Sequence, residues 1–255
     1  MKPALKAVLA AILLGGIVAV GWWVWKAERD GTFQILFTGK QQAVPDTARY
    51  EVLVAELQRW REELARGYAK ARTDEQRQAV EKDARVILEI ILPEMMRCWV
   101  GTPYDFNGTA EKPGKERIAC GYYVSTVIRD AGFRVDRYKL AQQPSENILR
   151  TFLPGDSCML RVGEDYPKYA DWVERLEPGV YLLGLDTHVG FIVVRSDGMH
   201  FFHSSGADEV GVVEENRDNA WALRKSKWRM LGHLTADSGV MRNWLTGEKI
   251  KVRTR

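Results

Sequence analysis

The chain changes period once. Between residues 46 and 97 its apolar side chains recur at three- and four-residue steps, and from about residue 180 they alternate. Helices first and strands afterwards do not give the βαβ alternation that builds a parallel sheet. The order therefore predicts an α+β domain on an antiparallel sheet. A length of 255 residues, 45% of them hydrophobic and 28% charged, suits one large domain with appendages and excludes a disordered or collagenous chain. The 37 Lys and Arg exceed the 34 Asp and Glu by only three, too few to indicate a nucleic-acid partner.

At the amino end, Lys2 and Lys6 precede an uncharged run from Ala7 to Trp25. As a helix this run spans roughly 28 Å, enough to cross a bilayer. Trp22, Trp23 and Trp25 then form an aromatic belt at the far interface, and the lysines hold the amino end in the cytoplasm. Residues 1–30 read as an uncleaved anchor, or as a signal peptide cut near Ala19-Val20-Gly21. The expected location is the bacterial inner membrane, with the remainder facing the periplasm or exterior, or secretion after cleavage. Residues 31–45, with Gly31, Gly39 and Pro45, read as a linker.

In the helical part, Leu53, Leu57, Trp60, Leu64 and Tyr68 share one face. Thr73 and Gln76 match a capping box opening a second helix, whose face is Val80, Ala84, Ile87 and Ile91 and which Pro93 is expected to end. Residues 46–97 thus form a helical hairpin packed on a main domain of 98–255. Ala119–Ala131 has a helical pattern with Cys120, Val124, Val127 and Ile128 on one stripe, and Ser145 can begin a short helix through Phe152. Residues 180–185, 188–194, 199–204 and 210–214 read as strands, with a hairpin signal at Arg195-Ser196-Asp197-Gly198.

Three cysteines are too few for a disulfide scaffold, and the odd number leaves at least one thiol unpaired in the chain. Cys120 opens a helix, where the positive dipole end and free N–H groups favour thiolate and nucleophilic chemistry. Cys98 and Cys158 lack that context and suit burial or a disulfide. Of the four histidines, His188 begins a strand and alternates with Gly190, Ile192 and Val194, while Val189, Phe191 and Val193 face the other way. An even hairpin loop puts His203 on the face of His188 and His200 on the opposite one. A two-residue turn at Asp197-Gly198 leaves His188 and His203 four positions out of alignment, whereas a four-residue loop from Val194 to Asp197 sets them opposite. The resulting expectation is a Cys120, His188, His203 triad, with His188 as general base and His203 orienting it. His200 and His233 read as ordinary surface or interface residues. No CxxC or HxxxH spacing supports zinc.

At these residues the chain resembles the NlpC-type cell-wall peptidases, bacterial cysteine hydrolases of papain-like fold. The likeness runs in order from about residue 85 to 215. It comprises Gly101-Thr102-Pro103-Tyr104, Cys120-Gly121-Tyr122-Tyr123-Val124, Pro178-Gly179, His188-Val189-Gly190-Phe191 and Phe202-His203-Ser204-Ser205. The resemblance implies a catalytic helix packed on an antiparallel sheet, Tyr104 and Gly121 in the pocket or oxyanion region, peptidoglycan stem peptides as substrate, and no metal or organic cofactor. Ala119 stands where the family usually has Asp, a residue that in relatives helps hold the free amine of the stem peptide. Residues 137–175 look longer than a minimal family domain. Papain-like acyltransferases, lipid-directed amidases and a catalytically inactive scaffold are the alternatives.

Overall fold

A computed structural model describes residues 44–207 and 210–254. The anchor segment, residues 7–25, and nearly all of the linker lie outside them. No described helix is long and apolar enough to cross a membrane.

Two long helices begin the described chain, and local chemistry sets their starts. The Asp46 carboxylate accepts the Arg49 N–H at 2.9 Å and caps α1 (Thr47–Lys70). The capping box forms as the sequence predicts, with Thr73 and Gln76 opening α2 (Asp74–Cys98). Pro93 does not end that helix. It sits buried inside it, and the chain remains helical for another turn. Proline costs one backbone hydrogen bond there, but the residues beyond it bury Met95, Met96 and Cys98, which offsets the loss. The buried stripe of α2 is Ala84, Leu88, Leu92, Met95 and Met96, turned from the predicted one so that Ile87 and Ile91 lie at its margin. On α1 the fully buried residues are Tyr50 and Leu57, and Trp60 is largely exposed.

Shorter elements follow: α3 (Cys120–Asp130), α4 (Arg137–Ala141), α5 (Ser145–Phe152), α6 (Tyr166–Val173), α7 (Trp221–Lys225) and α8 (Ser238–Thr246). The strands are β1 (Cys158–Val162), β2 (Gly179–Leu185), β3 (Val189–Arg195), β4 (Gly198–Ser205), β5 (Gly211–Glu215) and β6 (Trp228–His233). They form one antiparallel sheet in the order β1-β6-β2-β3-β4-β5. The α+β class is as expected. β1 and β6 are additions to the predicted strands, and their tertiary setting explains why. Arg229 on β6 is buried because its guanidinium donates to the Leu223, Glu164 and Arg224 carbonyls, so a charged residue occupies an inward position that periodicity reads as outward.

Period-two alternation divides the sheet cleanly. Val180, Leu182, Val189, Phe191, Val193, Phe202 and Met230 face one core, which also takes residues of α1, α2, α3, α5 and α8. Tyr181, Leu183, Ile192, Val194, Phe201 and Leu231 face a second, smaller core closed by α6 and α7. Tyr123 of α3 meets Phe191 edge to face at 6.1 Å, which fixes α3 on the first face.

Candidate active site

Cys120 is the first residue of α3, preceded by Ala119 in extended conformation. Two bonds anchor this start: Ala119 N–H to the Gly108 carbonyl at 2.9 Å and the Ser204 hydroxyl to the Ile118 carbonyl at 2.7 Å. Gly121 lets the helix start approach α4. A Cβ there would collide with the Ala141 carbonyl oxygen, so any larger residue moves the thiol.

Backbone N–H groups of Val189, Gly121 and Cys120 itself favour the ionised form of the Cys120 sulfur. Helix-start position was expected to favour thiolate, and these contacts do pull that way. Burial is the larger effect, and the thiol is held above its ordinary value. Desolvating the sulfur anion outweighs what those N–H groups return.

His188 lies just before β3, in the turn where Leu185 N–H donates to the His188 carbonyl at 2.8 Å. The turn is pinned from two sides. Asp186 accepts the Lys227 and Trp228 N–H groups at 2.8 and 3.1 Å as well as the Ser226 hydroxyl, and Ser145 donates to the Leu185 carbonyl at 2.8 Å. These bonds hold Asp186 ionised below the usual carboxylate range, the Ser226 hydroxyl contributing most.

The hairpin register differs from both predicted alternatives. Arg195 pairs with Gly198 across a two-residue Ser196-Asp197 loop, and Phe191 pairs with Phe202. Continuing that register sets His203 across from Gly190, two positions from alignment with His188, so the histidines meet diagonally. The parity expectation holds: they share a face. Gly190 makes this possible, because a Cβ there would lie 2.9 Å from the His203 Cβ and 2.7 Å from the Phe202 carbonyl. His188 Nε2 and His203 Nδ1 are 2.8 Å apart, with the rings nearly perpendicular.

That shared face is the one turned away from α3. His203 stacks on Phe201 at 4.0 Å, within the side of the sheet that carries the smaller core. The helix that carries Cys120 therefore packs on one face of the sheet and His203 lies on the other. Cys120 and His188 both line one cleft of about 490 Å³. Ala141, Gln143, Pro144, Ser145 and Glu146 supply another part of that wall, so the long 137–175 stretch does shape the cleft, and Leu185, Asp186 and Trp228 complete much of the rest.

His203 is buried behind His188 at 1% side-chain exposure, and its Nε2 lies 2.9 Å from Glu215 Oε2 at the end of β5. Glu215 was absent from the sequence reading. The signal was available in the β5 alternation, since Val213 pairs with His203 and Glu215 is two residues further on the same face. Burial, helped by the neighbouring His203, pushes His188 down to about 3, so it rests neutral.

Tyr104 packs its ring over Gly206, where a Cβ would lie 2.8 Å from Tyr104 Cε1. Its segment is tied to β5 by reciprocal bonds between Gly101, Thr102 and Val212. Burial raises the Tyr104 phenol above its ordinary value, with a smaller contribution from Cys120, and Tyr104 is not among the residues that line the cleft. Cys98 and Cys158 are free: Cys98 is buried, with its thiol pushed up to about 11 by desolvation, and Cys158 is half-buried. His233 is partly buried. It stacks on Tyr181 at 4.0 Å, with its Nε2 buried. Among the described residues no cluster of His, Cys, Asp and Glu is arranged to hold a metal.

No family model, no curated protein and no solved structure matches this chain.

Proposed function

We propose that this chain is a cysteine hydrolase of papain-like fold that cleaves amide bonds in peptidoglycan stem peptides, held at the bacterial inner membrane by residues 7–25 or released if that segment is cut. The observation that carries the reading is the 2.8 Å contact between His188 and His203 behind a cleft that also exposes the helix-start cysteine. Cys120, His188 and His203 are the three residues the chemistry needs, in the order general base logic requires.

In the reaction the Cys120 thiol attacks the substrate carbonyl as His188 Nδ1 takes its proton. The tetrahedral oxyanion is met by backbone N–H groups at the start of α3, those of Cys120 and Gly121 being nearest. Collapse expels the amine, which takes the proton back from His188 and leaves a thioester. Water then attacks, giving its proton to His188, and the carboxylic acid and thiol are released. Because the free thiol and imidazole both rest neutral, the proton moves during attack rather than before it. Ala119 in place of a carboxylate removes one means of holding a stem-peptide amine, so the bond cut need not be the γ-D-glutamyl one.

Incubation with purified muropeptides, analysed by mass spectrometry, tests the reading. Cleavage by the wild type and its abolition in Cys120→Ala, with the circular dichroism spectrum unchanged, is the expected result. Turnover surviving in Cys120→Ala would remove the mechanism, and an inert wild type on every amide tested would favour the scaffold alternative.

A further inference from the structure

We infer that Glu215 is a positioning residue that sets the proton positions on both histidines and so decides whether His188 can act as a base. The inference rests on the proposed Cys120 and His188 chemistry and goes beyond it by adding a fourth residue to the chain of contacts.

The argument is one of donors and acceptors. A glutamate carboxylate accepts hydrogen bonds and donates none, so the 2.9 Å contact between Glu215 Oε2 and His203 Nε2 requires the proton to sit on His203 Nε2. In a neutral His203, Nδ1 is then a bare acceptor. The 2.8 Å contact to His188 Nε2 therefore requires the proton on His188 Nε2, which leaves His188 Nδ1 unprotonated and available to the cleft. One carboxylate specifies two tautomers, and a reversed chain would put the proton on His188 Nδ1 and disable it as a base.

Packing makes the specification rigid. His203 is held flat against Phe201, with ring planes 10° apart, and its Cβ packs close to the bare backbone of Gly190. Water reaches only 1% of the His203 side chain and 19% of Glu215, so little solvent competes for the protons. The same carboxylate would stabilise the positive charge that develops on the pair once the thiol proton is transferred.

The test needs no substrate. Long-range ¹⁵N–¹H correlation spectra of the wild-type chain at neutral pH read each tautomer directly, and both His188 and His203 are expected to carry the proton on Nε2. In Glu215→Gln the amide can either accept or donate, so the His203 signals should shift toward a mixture. Cys120 alkylation by iodoacetamide should then slow by about tenfold or more, since loss of an orienting carboxylate can cost up to about 10⁴ in related triads. Glu215→Asp, which keeps an acceptor-only group, should recover part of the rate. A wild-type His188 protonated on Nδ1 would overturn the inference, as would unchanged tautomers and alkylation in Glu215→Gln. His188→Ala separates the two claims. If it leaves Cys120 alkylation at the wild-type rate the hydrolase reading fails, while the tautomer assignment is still judged by the spectra.

Discussion

The β4–β5 hairpin carries two histidine and glutamate pairs on opposite faces, and their surroundings differ. On the face of the large core, His200 Nδ1 lies 3.0 Å from Glu214 and its Nε2 lies 3.1 Å from Asp197, while Glu214 also takes a two-pronged contact from Arg97 at 3.0 and 3.1 Å. On the other face His203 has one carboxylate, Glu215, and a second imidazole. Hydrogen bonding to Glu214, only partly opposed by burial, raises His200. Burial drives His188 down to about 3. What separates the raised His200 from the lowered His188 is bonding to carboxylates in the one case and desolvation in the other.

Four changes test that contrast. Gly190→Val should have the largest effect. Its side chain must displace the Phe202 backbone and the His203 Cβ, which costs about 3 kcal/mol of stability in a chemical-denaturation curve and separates the two histidines. A stability loss below about 1 kcal/mol, within the range of ordinary surface changes, would show that the close approach is relaxed in solution. Next comes the pH dependence of Cys120 alkylation. Because the thiol is raised, the rate should keep climbing about tenfold per pH unit beyond the ordinary thiol value of about 8.5. A plateau below pH 7 would mean a resting thiolate and a different charge state for His188.

Glu214→Gln should cost about 1–2 kcal/mol, because it removes charge-assisted bonds to Arg97 and His200, and it should leave Cys120 alkylation unchanged. Its sign with pH is set by the Glu214 carboxyl, which burial pushes up but His200 and Arg97 pull down to about 2. The stabilisation is therefore complete above about pH 4.3, the unfolded value, and is lost as pH falls toward 2. His200→Ala is the mildest change, at about 0.5–1 kcal/mol for a partly exposed pair. The raised His200 contributes fully below its unfolded value of about 6.5, and the contribution disappears as pH rises through the higher folded value. Wild type and His200→Ala melting curves should thus converge at alkaline pH, and a constant gap would deny that the pair depends on charge.

Much of the scaffold was legible because short-range rules govern it. The capping box at Thr73 and Gln76, the stripe through Val124, Val127 and Ile128, and the strands around His188 and His203 follow from periods and caps that act within a few residues. The elements that were misread depend on distant partners. Pro93 stays helical because of what Met95 and Met96 bury, and β6 carries a charged residue inward because Leu223, Glu164 and Arg224 accept its protons.

At the site, a cysteine at a helix start and two histidines of the same strand parity are readable from the local order of residues. How they are arranged depends on contacts made across the fold. The hairpin register turned on a two-residue loop that local signals could not distinguish from its neighbours in length. The face on which the histidines lie, the burial that leaves thiol and imidazole neutral, and the carboxylate behind them are products of packing. Charge state is a property of the surrounding dielectric and of contacts made across the fold, and neither is written into the local order of residues.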